Sequence, residues 1–283
     1  MTLTYEIAAA AGATLGEGPT WDPVAGRLLW VDILACEVRA YDPAAGTDTL
    51  VRRTGQHVGA AKPRAGGGLV ANLRDGVGLY DPDGSFRWLA ELPADGCRGN
   101  DAAVGPDGAL WAGTMAYDER SGAGVLRRVR PDGRVSTVLD GVTISNGVAW
   151  SPDGRLMYYV DTPTGRIDVF DFDPDEGLAS GRRPFAEVTG PGSPDGLTVD
   201  AAGRVWVALW GGGRVVRFDP AGRAEGAVEF PAAQTTACAF GGPGLRDLYV
   251  TSAAVGTDGA AHAGSLFVVP DAGEGLPAPA FGG

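Results

Sequence analysis

Four oxygen-bearing residues, Glu17, Asn100, Asn146 and Asp195, stand at the head of a motif that recurs along the chain. Its clearest copy is Ser145-Asn146-Gly147-Val148-Ala149-Trp150-Ser151-Pro152-Asp153-Gly154, a polar residue opening a short apolar strand that ends in a Pro-Asp-Gly turn. The design returns from Asn100 to Gly108 and from Asp195 to Gly203, each time with the turn glycine eight residues after the polar one; a looser copy, Glu17 to Gly26, has nine. Shared register predicts that the four occupy one equivalent position in the fold. Two carboxylates brought to roughly 5 Å repel by about 3 kcal/mol at an effective dielectric near 20, so a proton or a cation has to offset them. Glutamate, aspartate and asparagine oxygens form the hard-ligand set expected for Ca2+, Mg2+ or Mn2+, with water completing the shell. An Asn or Asp before Gly also shapes loops at strand starts. That plainer reading weakens when four copies agree and one is a glutamate, which has little turn preference.

Other residues add chemistry around this set. Arg98, two residues before Asn100, carries paired N–H donors suited to a substrate oxygen or a carboxylate; the alternative is a solvated surface arginine. Asp118 follows Gly113-Thr114-Met115-Ala116, where a strand returns towards the same face, and is suited to accept hydrogen bonds from a polyol; the alternative is a plain loop aspartate. His57 and His262 are the only histidines, which excludes a three-histidine zinc site. His57 directly precedes Val58 and reads as a loop or packing residue. The Pro-Asp-Gly copies containing Asp83, Asp107, Asp132 and Asp153 read as turns. Pro194-Asp195-Gly196 differs, because its strand has a separate turn at Ala201-Ala202-Gly203. Trp21, Trp150 and Trp206 read as core, while Trp210 ends a strand and is placed to wall a pocket. Gly211 to Gly213 is no phosphate loop, since neither a helix nor Lys-Ser/Thr follows, and it predicts a hairpin.

The elements that must position these groups are strands. Helical periodicity is nearly absent, and short β-rich runs such as Leu28–Asp32, Leu110–Thr114, Leu156–Val160 and Val205–Leu209 recur about every 40 to 50 residues, the spacing of four-stranded propeller blades. Second strands follow, several ending in Asp-Pro. This predicts an all-β, six-bladed β-propeller of four-stranded antiparallel blades, one domain over residues 1–283. The last blade, near 236 to 269, lacks a fourth strand, and Tyr5-Glu6-Ile7-Ala8 is a spare one. Pairing the two closes the ring and removes an open edge. First strands line the channel, so their starts ring one mouth: Glu17, Val58, Asn100, Asn146, Asp195 and about Thr236.

Composition narrows the partners. A net charge of −12 over 283 residues disfavours phosphate backbones and anionic lipid. No stretch approaches the roughly 18 apolar residues of a membrane span. Residues 1–11 lack a basic secretory region. Cys36, Cys97 and Cys238 are few, odd in number and far apart, and read as reduced cytosolic thiols. The expected location is therefore the cytoplasm.

With these residues set out, the chain resembles the regucalcin/gluconolactonase (senescence marker protein, luciferin-regenerating-enzyme-like) family. Leu15-Gly16-Glu17-Gly18-Pro19, Arg98-Gly99-Asn100-Asp101, Ala112-Gly113-Thr114-Met115, Ser145–Gly154, Pro194–Asp200, Ala208–Gly212 and Phe240-Gly241-Gly242-Pro243 carry the resemblance, in family order over about residues 15 to 270. It implies a six-bladed propeller with one divalent cation, Ca2+ first, with Zn2+, Mg2+, Mn2+ or Fe2+ as the other family choices. The ligands it implies are Glu17, Asn146 and Asp195, with Asp195 also the general acid/base. Arg98, Asn100 and Asp118 match the family's sugar-binding set, although the last position is often Glu. The implied activity is hydrolysis of a small-molecule sugar lactone to the aldonic acid, by a monomer or weak homo-oligomer. A calcium-binding regulatory propeller with incidental hydrolysis, and a related metal-dependent esterase or phosphotriesterase, stay open as alternatives.

Overall fold

The computed structural model describes residues 3–283. Glycine, proline and aspartate punctuate the β-branched and aromatic runs, so extended segments separated by tight turns are favoured over helix. The described residues accordingly contain no α-helix, and only two 3-10 turns, Thr162–Thr164 and Pro243–Leu245. Six four-stranded antiparallel sheets form, five of them from strands consecutive in sequence. Blades 1 to 5 span residues 16–53, 58–91, 97–142, 145–187 and 193–229. Blade 6 takes three strands from residues 235–269, and Glu6–Ala9 pairs antiparallel with Leu266–Val269 as the fourth, with Glu6 opposite Val268 and Ile7 opposite Phe267. The six-bladed propeller and its closure by the N-terminal strand therefore stand as the strand pattern predicts. Closure matters because an unpaired outer strand exposes a row of backbone donors and acceptors.

The core is a set of apolar layers between neighbouring blades. The inner strands are Gly16–Asp22, Val58–Pro63, Cys97–Val104, Ser145–Trp150, Ser193–Val199 and Thr235–Gly241, and they are buried along most of their length. Outermost strands such as Thr47–Arg53 are largely solvated. Trp111, Trp150 and Phe172 meet edge-to-face at 5.5–5.7 Å between blades 3 and 4, a geometry that aligns positive ring edges with negative faces. Val58 lies among Leu29, Val31 and Leu73 between blades 1 and 2, so it belongs to packing rather than to the mouth.

Each inner strand carries a register shift near its start. In blade 4, Ser145 pairs with Asp161 and Val148 with Tyr159, so Asn146 and Gly147 oppose one residue. The same two-against-one bulge holds Asn100–Asp101, Asp195–Gly196 and Thr236–Ala237. Bulges re-aim side chains, and here they set Asn100, Asn146 and Asp195 at one equivalent place on their strands. Blade 1 departs from the expected equivalence: its bulge is Gly18–Pro19, and Glu17, paired with Val31, comes one residue earlier. That offset accounts for the spacing of nine. Gly18 adopts φ +56, a left-handed conformation that glycine tolerates, so the strand can turn beside Glu17.

Residues 270–283 do something no strand pattern announces. They cross the far end of the channel, with Ala201 N–H donating to Glu274 O (2.7 Å) on blade 5 and Phe281 N–H donating to Pro63 O (2.9 Å) on blade 2. Between these anchors Leu276, Pro277, Ala278 and Pro279 line a channel cavity of about 500 Å3.

Candidate cation site at the channel mouth

At the opposite end, the inner-strand starts bring Glu17, Arg98, Asn100, Asn146 and Asp195 together. All five are buried, between 4% and 7% exposed. A chain of hydrogen bonds runs through them: Arg98 Nη1 donates to Asn100 Oδ1 (2.6 Å), Asn100 Nδ2 to Asn146 Oδ1 (3.0 Å), and Asn146 Nδ2 to Thr162 Oγ1 (2.7 Å). Asn100 Nδ2 also reaches Ser145 O (3.0 Å), tying blade 3 to blade 4. Glu17 Oε2 accepts the N–H of Gly18 at 3.0 Å.

The carboxylates are held against their preference. Burial pushes Glu17 up to about 8, with the Asp101 carboxylate adding to it and Arg98 and Lys62 opposing. Burial raises Asp195 well above the usual aspartate range, and Glu17 and then Asp101 raise it further. Asp195 Oδ1 is enclosed and has no hydrogen-bond partner among the described residues. A buried anion left so poorly satisfied is unfavourable unless a cation or proton joins it. Two carboxylates, an amide oxygen with a remaining lone pair and an orphaned Oδ1 match the chemistry of a hard dication, so these residues fit such an ion.

The other sequence-predicted residues take varied places. Asp118 lies on the loop after Leu110–Ala116, exposed and paired with Arg120 (3.1 Å), apart from the buried cluster. Thr236 directs its hydroxyl to Gly16 O (2.6 Å) and Thr251 (2.8 Å), joining blade 6 to blade 1 instead of facing the mouth. His57 Nδ1 meets Tyr117 Oη at 2.7 Å, bridging the loops of blades 2 and 3. Burial, then Arg98 and Arg74, lower its pKa. Trp210 ends its strand opposite Ser193, on the mouth side, and is partly exposed. Cys97 and Cys238 are buried, Cys36 is half-buried, and none is in a disulfide.

Three residues at or below the mouth escaped the motif reading. Asp101 fills the second bulge position, where blades 4 and 5 have glycine, and that exception was the available signal. Lys62, buried in the blade 2 inner strand, donates to Gly18 O (3.1 Å) and Thr20 Oγ1 (2.5 Å). Tyr117 carries no pattern that marks it.

Residues 15–254 match the sequence profile of the SMP-30/Gluconolactonase/LRE-like region. The chain belongs to this family. It is 38% identical over 287 residues to pentonolactonase XacC of Haloferax volcanii, covering 98% of this chain and 97% of that one. It is 36% identical over 257 residues to a 6-deoxy-6-sulfogluconolactonase of Pseudomonas putida, covering 89% and 88%. The crystal structure of a calcium-binding regucalcin from Agrobacterium tumefaciens superimposes with a TM-score of 0.94 at 33% identity, over 99% of this chain and 98% of that one. Lactonases are cyclic-ester hydrolases, and the family thus places an ester-hydrolysing enzyme on this propeller.

Proposed function

We propose that the chain hydrolyses sugar lactones with the help of a divalent cation held by Glu17, Asn146 and Asp195, Ca2+ in the first place. The observation that carries this reading is the buried, unpartnered Oδ1 of Asp195 beside a second buried carboxylate. Lactonase relatives that cover nearly the whole chain support the substrate class. When bound, a dication keeps both carboxylates ionised and polarises the lactone carbonyl.

The chain's own groups do the rest. Asp195, ionised, accepts the proton of the attacking water and returns it to the departing ring oxygen, so that one carboxylate serves both halves of the reaction. Asn100 and Asn146 are immobilised by their hydrogen-bond chain, which holds the site's polar surface in one arrangement before substrate arrives. Arg98 spends Nη1 on Asn100 and Gly99 and keeps further N–H donors for sugar hydroxyls. Asp118 joins the sugar contacts once its pair with Arg120 opens; that pair is exposed and correspondingly weak.

The test is a proton-release assay on an aldonolactone panel, with metal-stripped protein and each cation added back. Saturable hydrolysis that disappears on stripping and returns with a dication is expected. Failure to open any lactone with any cation sinks the proposal.

A further inference from the structure

Of the 23 lysine and arginine residues, Lys62 is the only lysine, and among the described residues it is the one basic residue lining the channel cavity. It is 6% exposed, on the inner strand of blade 2. Its ammonium is tethered by two hydrogen bonds to the blade 1 inner strand, at Gly18 O in the bulge, one residue from Glu17, and at Thr20 Oγ1 just after it. Burial pushes its pKa down, and the carboxylates that act against this and favour the ammonium are Asp101, from the blade 3 bulge, and Glu17. A compact ammonium suits this place better than the planar, five-donor guanidinium used elsewhere in the chain.

Counting the fixed charges around the mouth shows what Lys62 does. Glu17, Asp101 and Asp195 supply three carboxylates, against which stand Arg98 and Lys62. Fully ionised, the cluster carries one net negative charge; without Lys62 it would carry two. A dication entering the first cluster is incompletely neutralised, whereas in the second its charge would be cancelled. Ammonium and dication also repel through a poorly screened interior.

We infer that Lys62 is a positioning residue of electrostatic kind: a built-in counter-cation that weakens dication binding at Glu17, Asn146 and Asp195 and so leaves positive charge available to the substrate. The inference rests on the cation-site reading above. It assigns to Lys62 and Asp101 a paired role in tuning affinity, with no contact to substrate.

Calcium titration calorimetry on the metal-stripped full chain tests it, using Ca2+ alone. Lys62→Met is expected to bind Ca2+ about tenfold more tightly than wild type and to turn over lactone more slowly, and Asp101→Asn to bind about tenfold more weakly. Because Lys62→Met leaves Asp101 without its counter-ion, the decisive comparison is Lys62→Met/Asp101→Asn against Asp101→Asn, where no carboxylate is orphaned. There, loss of Lys62 must tighten Ca2+ binding by several-fold, and the gain must survive at about 0.5 M NaCl, as a buried charge effect does. A lysine that merely props up the bulge would weaken binding when removed, and equal or weaker binding by the double variant overturns the inference. If wild type itself binds no Ca2+, the cation-site reading falls, which the wild-type titration shows on its own.

Discussion

Asn100 donates an N–H to Asn146 Oδ1 at 3.0 Å, and the direction of that bond is imposed from one residue further along. Arg98 has donors and no acceptor, so Asn100 must turn its oxygen towards the guanidinium and its amide N–H2 towards blade 4. Asn146 must then present its oxygen, and its own N–H2 goes to Thr162. A side-chain amide can offer either end to its surroundings. In this site the charged donor and the Ser145 carbonyl together decide which, and Asn146 Oδ1 keeps a lone pair to spare.

Removing that imposed direction should degrade the cation site while the fold persists. Arg98→Met removes the charged donor and leaves the Ser145 carbonyl as the only group holding the Asn100 amide in this orientation, so Asn146 is held less firmly as an acceptor. Changes behind a ligand typically lower metal affinity 10- to 100-fold. We expect Ca2+ affinity to fall about tenfold by calorimetry in Arg98→Met, with partial retention in Arg98→Lys, which keeps one charged donor. Unchanged affinity in both variants would reduce Arg98 to a substrate contact.

Burial and the Glu17 and Asp101 carboxylates disfavour the charge of Asp195, and a neutral isostere should separate stability from turnover. Asp195→Asn removes like-charge repulsion with Glu17 and Asp101 and supplies an N–H2 that can donate to Glu17. Turnover should drop by about 10²- to 10⁴-fold, the usual contribution of a general acid/base. The metal-free protein should melt higher, by about 2 °C or more for each kcal/mol relieved. Calorimetry and lactone assays on the same preparation check both. A variant that retains activity, or melts lower without metal, contradicts the assignment.

The raised carboxyls also fix the sign of a pH effect. Glu17 titrates at about 8 in the fold but near 4.5 when unfolded, so between those values the native chain binds more protons than the unfolded one. Stability of the metal-free protein should therefore fall as pH rises from about 5 to 8, with Asp195 acting in the same direction. Saturating Ca2+ replaces those protons and should flatten or reverse the slope, releasing protons as it binds. Melting curves across this range, with and without Ca2+, should diverge most at the alkaline end. Parallel curves would mean that Ca2+ does not meet these carboxylates.

How far the sequence discloses this arrangement depends on whether a residue answers to its own strand or to a neighbouring blade. Asn100, Asn146 and Asp195 are legible because each begins the same bulged inner strand, and repetition makes the position visible. Glu17 is legible only approximately, since the extra bulge residue in blade 1 shifts it by one place. Lys62 is not legible, because its meaning lies in Gly18 and Thr20, 44 and 42 residues away on another blade. Thr236 and Val58 share the strand position but face packing partners, a distinction that inter-blade contacts decide. The N-terminal closing strand is foreseeable from an unmatched edge in blade 6. The C-terminal crossing has neither strand period nor helical period and becomes apparent only in three dimensions.

That crossing should be a major source of stability, independent of the mouth. Phe281, two residues from the C-terminus, is fully buried with Val70, Leu79, Val104 and Leu110 between blades 2 and 3. Its backbone bonds to Pro63 and Ala65, and the neighbouring Gly282 N–H reaches Gly108 O at 3.1 Å. Phe281→Ala should cost about 3–5 kcal/mol, the range for a large aromatic removed from a packed core. In a chain of this size that lowers the melting temperature by roughly 6 °C or more. Because the anchors lie at the channel's far end, Ca2+ affinity in the surviving native fraction should stay within about twofold of wild type, as expected for distant sites. A normal melting temperature would show that the C-terminal segment detaches freely in solution. A collapse of Ca2+ affinity without loss of the fold would show instead that the two ends of the channel are coupled.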